Sequence, residues 1–149
     1  MRLALYQPEI PQNVGASIRA AACFGAGLDI IEPCGFPADD RSLKRAAMDY
    51  RALAVPTLHA SWTKFVKSQE RAAGRLILLS TSAGASIWDF RFQPGDILLI
   101  GQESAGVPAE VRAASDFAVR IPLAPAARSL NAAAAGAIAL AEMRRQLGW

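Results

Sequence analysis

Three short stretches of this chain hold the residue types best suited to chemistry. Residues 13–19, NVGASIR, set the carboxamide of Asn13 six positions before the guanidinium of Arg19. Residues 101–108, GQESAGVP, set the carboxylate of Glu103 between Gly101 and Gly106. Residues 121–131, IPLAPAARSLN, end on Arg128, the hydroxyl of Ser129 and the carboxamide of Asn131. A guanidinium can anchor a phosphate or a sugar hydroxyl. A carboxylate beside it can hold it by a charge-assisted hydrogen bond or accept a proton.

Each stretch also has a plainer reading. Asn13 can cap the helix that follows it, and Asn131 is well placed to do the same for the last helix, its oxygen accepting a backbone N–H. Arg19 and Arg128 can be solvated surface residues. Gly15 is locally unfavourable in a first helical turn, which points to close packing or to a ligand. Gly101 follows a strand directly, where a missing side chain lets a ligand approach the backbone. Gly106 suits a positive φ and Pro108 a first helical turn. Neither GxGxxG nor GxxxxGK[ST] occurs, so dinucleotide and P-loop readings lack support.

The elements that position these stretches follow from the hydrophobic pattern. Strands are predicted at Arg2–Tyr6, 28–31, 54–59, Leu76–Leu79, Ile97–Ile100 and 117–121. Pro56 confines 54–59 to a sheet edge. The unbroken apolar runs Leu76–Leu79 and Ile97–Ile100 read as strands buried on both faces. Helices are predicted at 13–24, ended by Gly25 and Gly27, and at 39–47, capped by Asp39 or Asp40. A third starts at Ser61, carries Trp62, Phe65 and Val66 on one face, and closes at Gly74. A short helix follows Pro108, and a last one spans 131–147. Alternating strands and helices predict an α/β fold: one domain over 1–149, with a mostly parallel sheet and helices on both faces. Ligands of such sheets gather beyond the carboxyl ends of the strands, where the loops 80–84, 101–108 and 122–131 fall.

Composition narrows the partners. Hydrophobic residues make up 52% of the 149 and charged residues 19%, which excludes a disordered chain. No apolar run is long enough for a bilayer, so no membrane partner is expected. The first apolar stretch breaks at Gln7 and Pro8, too soon for a leader, and a cytoplasmic location is expected. Cys23, Cys34 and His59 are too few and too scattered for a metal site, so no metal is expected. Cys23 reads as a buried free thiol. A net charge of +3 permits nucleic-acid binding without demanding it. Basic residues cluster at Arg41, Lys44, Arg45 and Arg51, diluted by Asp39, Asp40 and Asp49, and again at Arg144 and Arg145. For any single one of these a solvated face is the simpler reading. His59 and Trp62 can stack a base, though core packing suits Trp62 better.

Taken together, N-x-G-x-x-x-R at 13–19, G-x-E-x-x-G-x-P at 101–108 and I-P-…-R-S-L-N at 121–131 resemble the SPOUT RNA ribose 2′-O-methyltransferases. LYQPEIPQNVG, IIEPCGFPADDRSLKRAAMDY and the terminal RRQLGW resemble its TrmL type, which methylates cytidine or uridine 34 of tRNA. The resemblance covers nearly the whole chain. Gln102 stands where a proline is common, and Ala105 where a larger, often basic, residue is common.

The resemblance implies what periodicity does not show. It implies a C-terminal trefoil knot, a homodimer whose active sites draw on both chains, and S-adenosyl-L-methionine bent into the knot against Leu79, Gly101, Ile121 and Ser129. The substrate it implies is the ribose 2′-hydroxyl of the wobble nucleotide, presented by the tRNA anticodon stem-loop. The catalytic residues it implies are Arg19, Asn13, Glu103, Ser129 and Asn131. A guanidinium is protonated at neutral pH, so Arg19 acts more easily by binding phosphate and acidifying the hydroxyl than as a base. Glu103 either holds Arg19 or accepts the proton. Two other readings stay open: an enzyme of this fold acting on another RNA such as rRNA, and a non-catalytic RNA-binding protein of the same fold.

Overall fold

The computed structural model describes residues 1–37, 50 and 53–148. Seven strands form one sheet: β1 (Arg2–Tyr6), β2 (Gly27–Ile31), β3 (Thr57–His59), β4 (Leu76–Leu79), β5 (Ala85–Ser86), β6 (Ile97–Ile100) and β7 (Phe117–Arg120). Their order is β3-β2-β1-β6-β4-β7-β5, and every neighbouring pair is parallel. Among the described residues, five helices accompany them: α1 (Pro11–Phe24), α2 (Trp62–Val66), α3 (Gln69–Ala72), α4 (Ala109–Ala113) and α5 (Ala132–Leu147).

Alternation along the strands sends side chains to two cores. Leu3, Leu5, Leu98 and Ile100 face α1 and α5, meeting Val14, Ile18, Leu140 and Met143. Ala4, Tyr6, Ile97 and Leu99 face the other way, onto Phe65 of α2 and Val111 of α4. Helices therefore cover both faces, as the apolar runs at β4 and β6 predict. Among the described residues, no helix is long and apolar enough to cross a membrane.

Several element boundaries differ from the sequence reading for local reasons. Helix α1 begins two residues early because Pro11 takes the first turn, where its missing N–H costs nothing. Ile10 is therefore the N-cap, and Asn13, expected to cap, lies inside the helix. Gly25 closes α1 with φ +62°, while Gly27 opens β2. Cys23, expected to be buried, is exposed on the solvent side of α1. Residues 61–74 form two helices instead of one. Ser61 Oγ accepts the Lys64 N–H, and seven residues on Ser68 Oγ accepts the Arg71 N–H, starting a second helix. Val66 faces solvent. The edge strand is only Thr57–His59, β7 stops at Arg120, and the two-residue β5 has no counterpart in the sequence pattern. The helix expected at 39–47 and the basic cluster Arg41, Lys44, Arg45 and Arg51 lie outside the described residues.

In the middle of β2, Asp29 is fully buried. It accepts from Arg2 Nε at 2.6 Å and pairs with His59 Nε2 at 2.8 Å. His59 is thus part of the interior, and Trp62 packs edge-on against Tyr6. Arg144 donates to the carbonyls of Phe24 and Gly25, tying the end of α5 to the end of α1. Arg145 pairs with Glu142. Both arginines of the expected C-terminal basic pair thus have intramolecular partners.

The loop after β6 doubles back on itself. Gln102 and Gly106 exchange both backbone hydrogen bonds, at 2.8 and 2.9 Å, and Gly106 has φ +69°. A Cβ on Gly101 would stand 2.4 Å from the Gly106 carbonyl carbon. The absence of a side chain at Gly101 is thus required by the loop's own return path, whatever ligand comes near. Gly101→Ala is expected to lower stability by about 2 kcal/mol through this overlap, read as a shift of the urea unfolding midpoint. A midpoint unchanged from the parent protein would show that the loop opens at no cost.

Candidate active site

The three loops beyond the carboxyl ends of β4, β6 and β7 meet the start of α1 around one cavity of about 470 Å³, within the range of small-molecule sites. All four residues expected to contact a cofactor line it: Leu79, Gly101, Ile121 and Ser129. Asn13, Glu103 and Asn131 line it as well. Three segments far apart in sequence thus converge as the motifs imply.

A chain of hydrogen bonds joins them. Asn13 Nδ2 donates to Glu103 Oε1 at 2.9 Å, and Asn13 Oδ1 accepts from Asn131 Nδ2 at 2.8 Å. Asn131 Oδ1 accepts from the Ala133 and Ala134 amides at the start of α5. Asn131 is therefore both the helix cap and a member of the site. Glu103 Oε2 accepts the Glu9 backbone N–H at 2.8 Å. Glu103 holds Asn13, the role the sequence reading gave it toward Arg19.

Glu9 completes the clamp, and sequence reasoning assigned it no role. Its carboxylate accepts the Ser104 N–H and Oγ–H at 2.8 and 2.7 Å. Those bonds hold its carboxyl below the usual carboxylate range. Gln102 Nε2 reaches Gln7 Oε1 at 3.2 Å, so residues 7–9 and 102–104 are laced together. The available signal was a charged residue between Pro8 and Pro11, in a segment too rigid to be idle. Leu123, Leu130 and Thr81 also line the cavity without having been singled out.

Arg19 stands apart. It is exposed, its guanidinium carbon 5.1 Å from the centroid of the Tyr50 ring, and it is not among the residues lining the cavity. Six residues beyond Asn13, it has risen about 9 Å along α1 and turned to a different face. Cys34, half-buried, has its thiol pushed up to about 11, chiefly by burial and further by Glu32 and Glu103. It is protonated at neutral pH and a poor nucleophile. Among the described residues, no group of three or more His, Cys, Asp or Glu is placed to hold a metal ion.

The cavity offers apolar walls at Leu79, Ile121 and Leu123 beside the carboxamides of Asn13 and Asn131, which can bond a hydroxyl. Comparison with known proteins points the same way. The model of the SpoU rRNA Methylase family matches residues 1–141. A tRNA (cytidine(34)-2'-O)-methyltransferase of Beijerinckia indica is 52% identical over 146 residues, 98% of this chain and 91% of that protein. A solved structure reported under the words "Structural insights into the 2-OH methylation of C/U34 on tRNA" superposes with a TM-score of 0.89 at 42% identity, covering 98% of this chain and 95% of its own. The SpoU methyltransferase AviRb of Streptomyces viridochromogenes, crystallised with AdoMet, superposes with a TM-score of 0.85 at 29% identity, covering 99% of this chain and 60% of its own. The family match over residues 1–141, with a relative 52% identical over 98% of this chain, shows that the chain belongs to the SpoU methylase family.

Proposed function

We propose that this protein transfers a methyl group from S-adenosyl-L-methionine to the ribose 2′-hydroxyl of cytidine or uridine 34 in the anticodon stem-loop of tRNA. The observation that carries the reading is the Glu103–Asn13–Asn131 relay on the wall of the cavity. Relatives named for this reaction are 52% and 42% identical to this chain, whereas a solved structure named an rRNA methyltransferase, from Sinorhizobium meliloti, is 30% identical. That favours tRNA over rRNA. The order of the strands supports a knot: β6 sits between β1 and β4, β7 lies beyond β4, and α5 returns to α1. One sheet with a core on each face supports a single domain. A tRNA substrate puts the enzyme in the cytoplasm.

The cavity fits the cofactor by the chemistry of its walls: apolar side chains at Leu79 and Ile121, the bare backbone of Gly101, and the Ser129 hydroxyl. The bound cofactor brings an already activated methyl group. The protein must then align an oxygen with it and favour the charge that develops there. Asn13 and Asn131 each spend one N–H of the carboxamide in the relay and keep a second for the ribose oxygen. Glu103 fixes Asn13 so that this second N–H has one direction. Ser129, on the cavity wall, would contact the cofactor and the hydroxyl. Arg19 anchors the neighbouring phosphate and acidifies the hydroxyl, and a homodimer supplies it: each cavity receives the Arg19 of a second copy. The set of donors gives no role to a metal.

Incubation with labelled cofactor, bulk tRNA and a chelator is expected to place label on the 2′-oxygen of nucleotide 34. Label on rRNA alone, or activity that a divalent ion must restore once tRNA folding is controlled, contradicts the reading. Arg19→Ala is expected to lower kcat by about a hundredfold or more while leaving the affinity for S-adenosylhomocysteine unchanged. Arg19→Lys should also be poor, since an ammonium lacks the planar fork. Near-normal turnover of Arg19→Ala would move the role to Glu103 or Ser129. Mixing Arg19→Ala with Asn131→Ala subunits is expected to restore about a quarter of parental activity, because half the dimers then hold one intact site. No recovery on mixing would mean that each chain serves its own site.

A further inference from the structure

A second hollow of about 280 Å³ adjoins the cavity and shares Leu79, Ser80, Thr81, Gly101 and Gly106 with it. Ser82 and Arg112 line it and do not line the main cavity. Arg112 projects from α4 and is exposed, with Nη1 3.2 Å from Ser82 Oγ. Ser82 Oγ lies 3.0 Å from Ser80 Oγ, so a guanidinium and two hydroxyls stand in a row leading outward from the cavity. Among the described residues, Arg112 meets a hydroxyl in this hollow and not a carboxylate.

Charge bookkeeping gives this row a use, provided the cavity takes the cofactor as read above. The cofactor's amino-acid tail ends in a carboxylate. None of the described residues lining the main cavity is Lys, Arg or His, and its one ionisable side chain, Glu103, is of the wrong sign. Arg128 shares a loop with Ser129 but lines neither hollow. Among the described residues of this chain, Arg112 is the one cation that lines either hollow. We propose that Arg112, with the hydroxyls of Ser80 and Ser82, forms the subsite that takes the carboxylate of the cofactor's tail. The guanidinium fork suits a carboxylate geometrically, and the two serines supply hydroxyl donors behind it.

The test is calorimetric and needs no turnover. The full-length protein and its Arg112→Gln variant are titrated with S-adenosylhomocysteine and with 5′-methylthioadenosine, which keeps the adenosyl thioether and lacks the amino-acid tail. Arg112→Gln is expected to weaken S-adenosylhomocysteine about tenfold and to leave 5′-methylthioadenosine unchanged. Ser82→Ala is expected to show a smaller loss with the same selectivity. Equal loss for both ligands, or no loss for either, overturns the subsite. So does a loss of tRNA affinity with S-adenosylhomocysteine unaffected, which would assign Arg112 to an RNA phosphate. A parent protein that binds neither small ligand overturns the subsite together with the function on which it rests. A parent that binds S-adenosylhomocysteine as tightly as the variant does removes the subsite alone.

Discussion

The site depends on a hydrogen-bond chain whose direction is forced from both ends. At one end Glu103 is a carboxylate and can only accept. At the other, the first amides of α5 can only donate. Between them, Asn13 and Asn131 have no choice of orientation: each must offer nitrogen toward Glu103 and oxygen toward α5. The chain therefore fixes the start of the last helix, the first turn of the first helix and the loop after β6 relative to one another. The helix amides, unsatisfied by the helix itself, are what keep Asn131 in place.

The parallel sheet makes this meeting possible. Strands β1, β6, β4 and β7 run side by side in one direction, so their following segments emerge at one end. The loop after β6 is then held by two independent devices. One is its own Gln102–Gly106 bridge, and the other is the exchange between Glu9 and residues 103–104. Redundancy of this kind holds side-chain positions to the tolerance that alignment of reacting atoms requires. Strands β1, β2 and β3 are fastened separately, by buried Asp29 with Arg2 and His59.

Much of this was legible in residue order. The runs at β4 and β6 declare themselves because burial on both faces leaves no polar positions, and Ser61 and Asn131 declare themselves because short polar side chains favour helix starts. Seven of the eight residues singled out for the site converge on one cavity. What stayed hidden depends on partners remote in sequence. Asn13 looks like a cap until Glu103 and Asn131 arrive to occupy it. Gly101 looks like room for a ligand until Gly106 fills the space. Ser68 competes for a helix that periodicity would continue, and Cys23 sits on an apolar stretch whose other side is the one that packs. β5 is too short for any pattern and exists only because β7 offers an edge. Arg19, recognised through resemblance, is the residue that a single chain does not bring to the cavity.

The closeness of the first and last helices also governs how the protein can be made. Asn13 and Asn131 are 118 positions apart, and Arg144 reaches back 120 positions to Phe24. Neither contact can form while the C-terminal helix is still inside the ribosome. Until then Val14, Ile18 and Ala21 on α1 lack the part of their cover that Leu140 and Met143 of α5 supply. The nascent chain therefore carries a partly uncovered apolar helix until α5 arrives. Folding is completed only once α5 is free to pack, by contacts of high sequence separation that close slowly. A chaperone able to hold an amphipathic N-terminal segment would act on this chain before any of its substrate could.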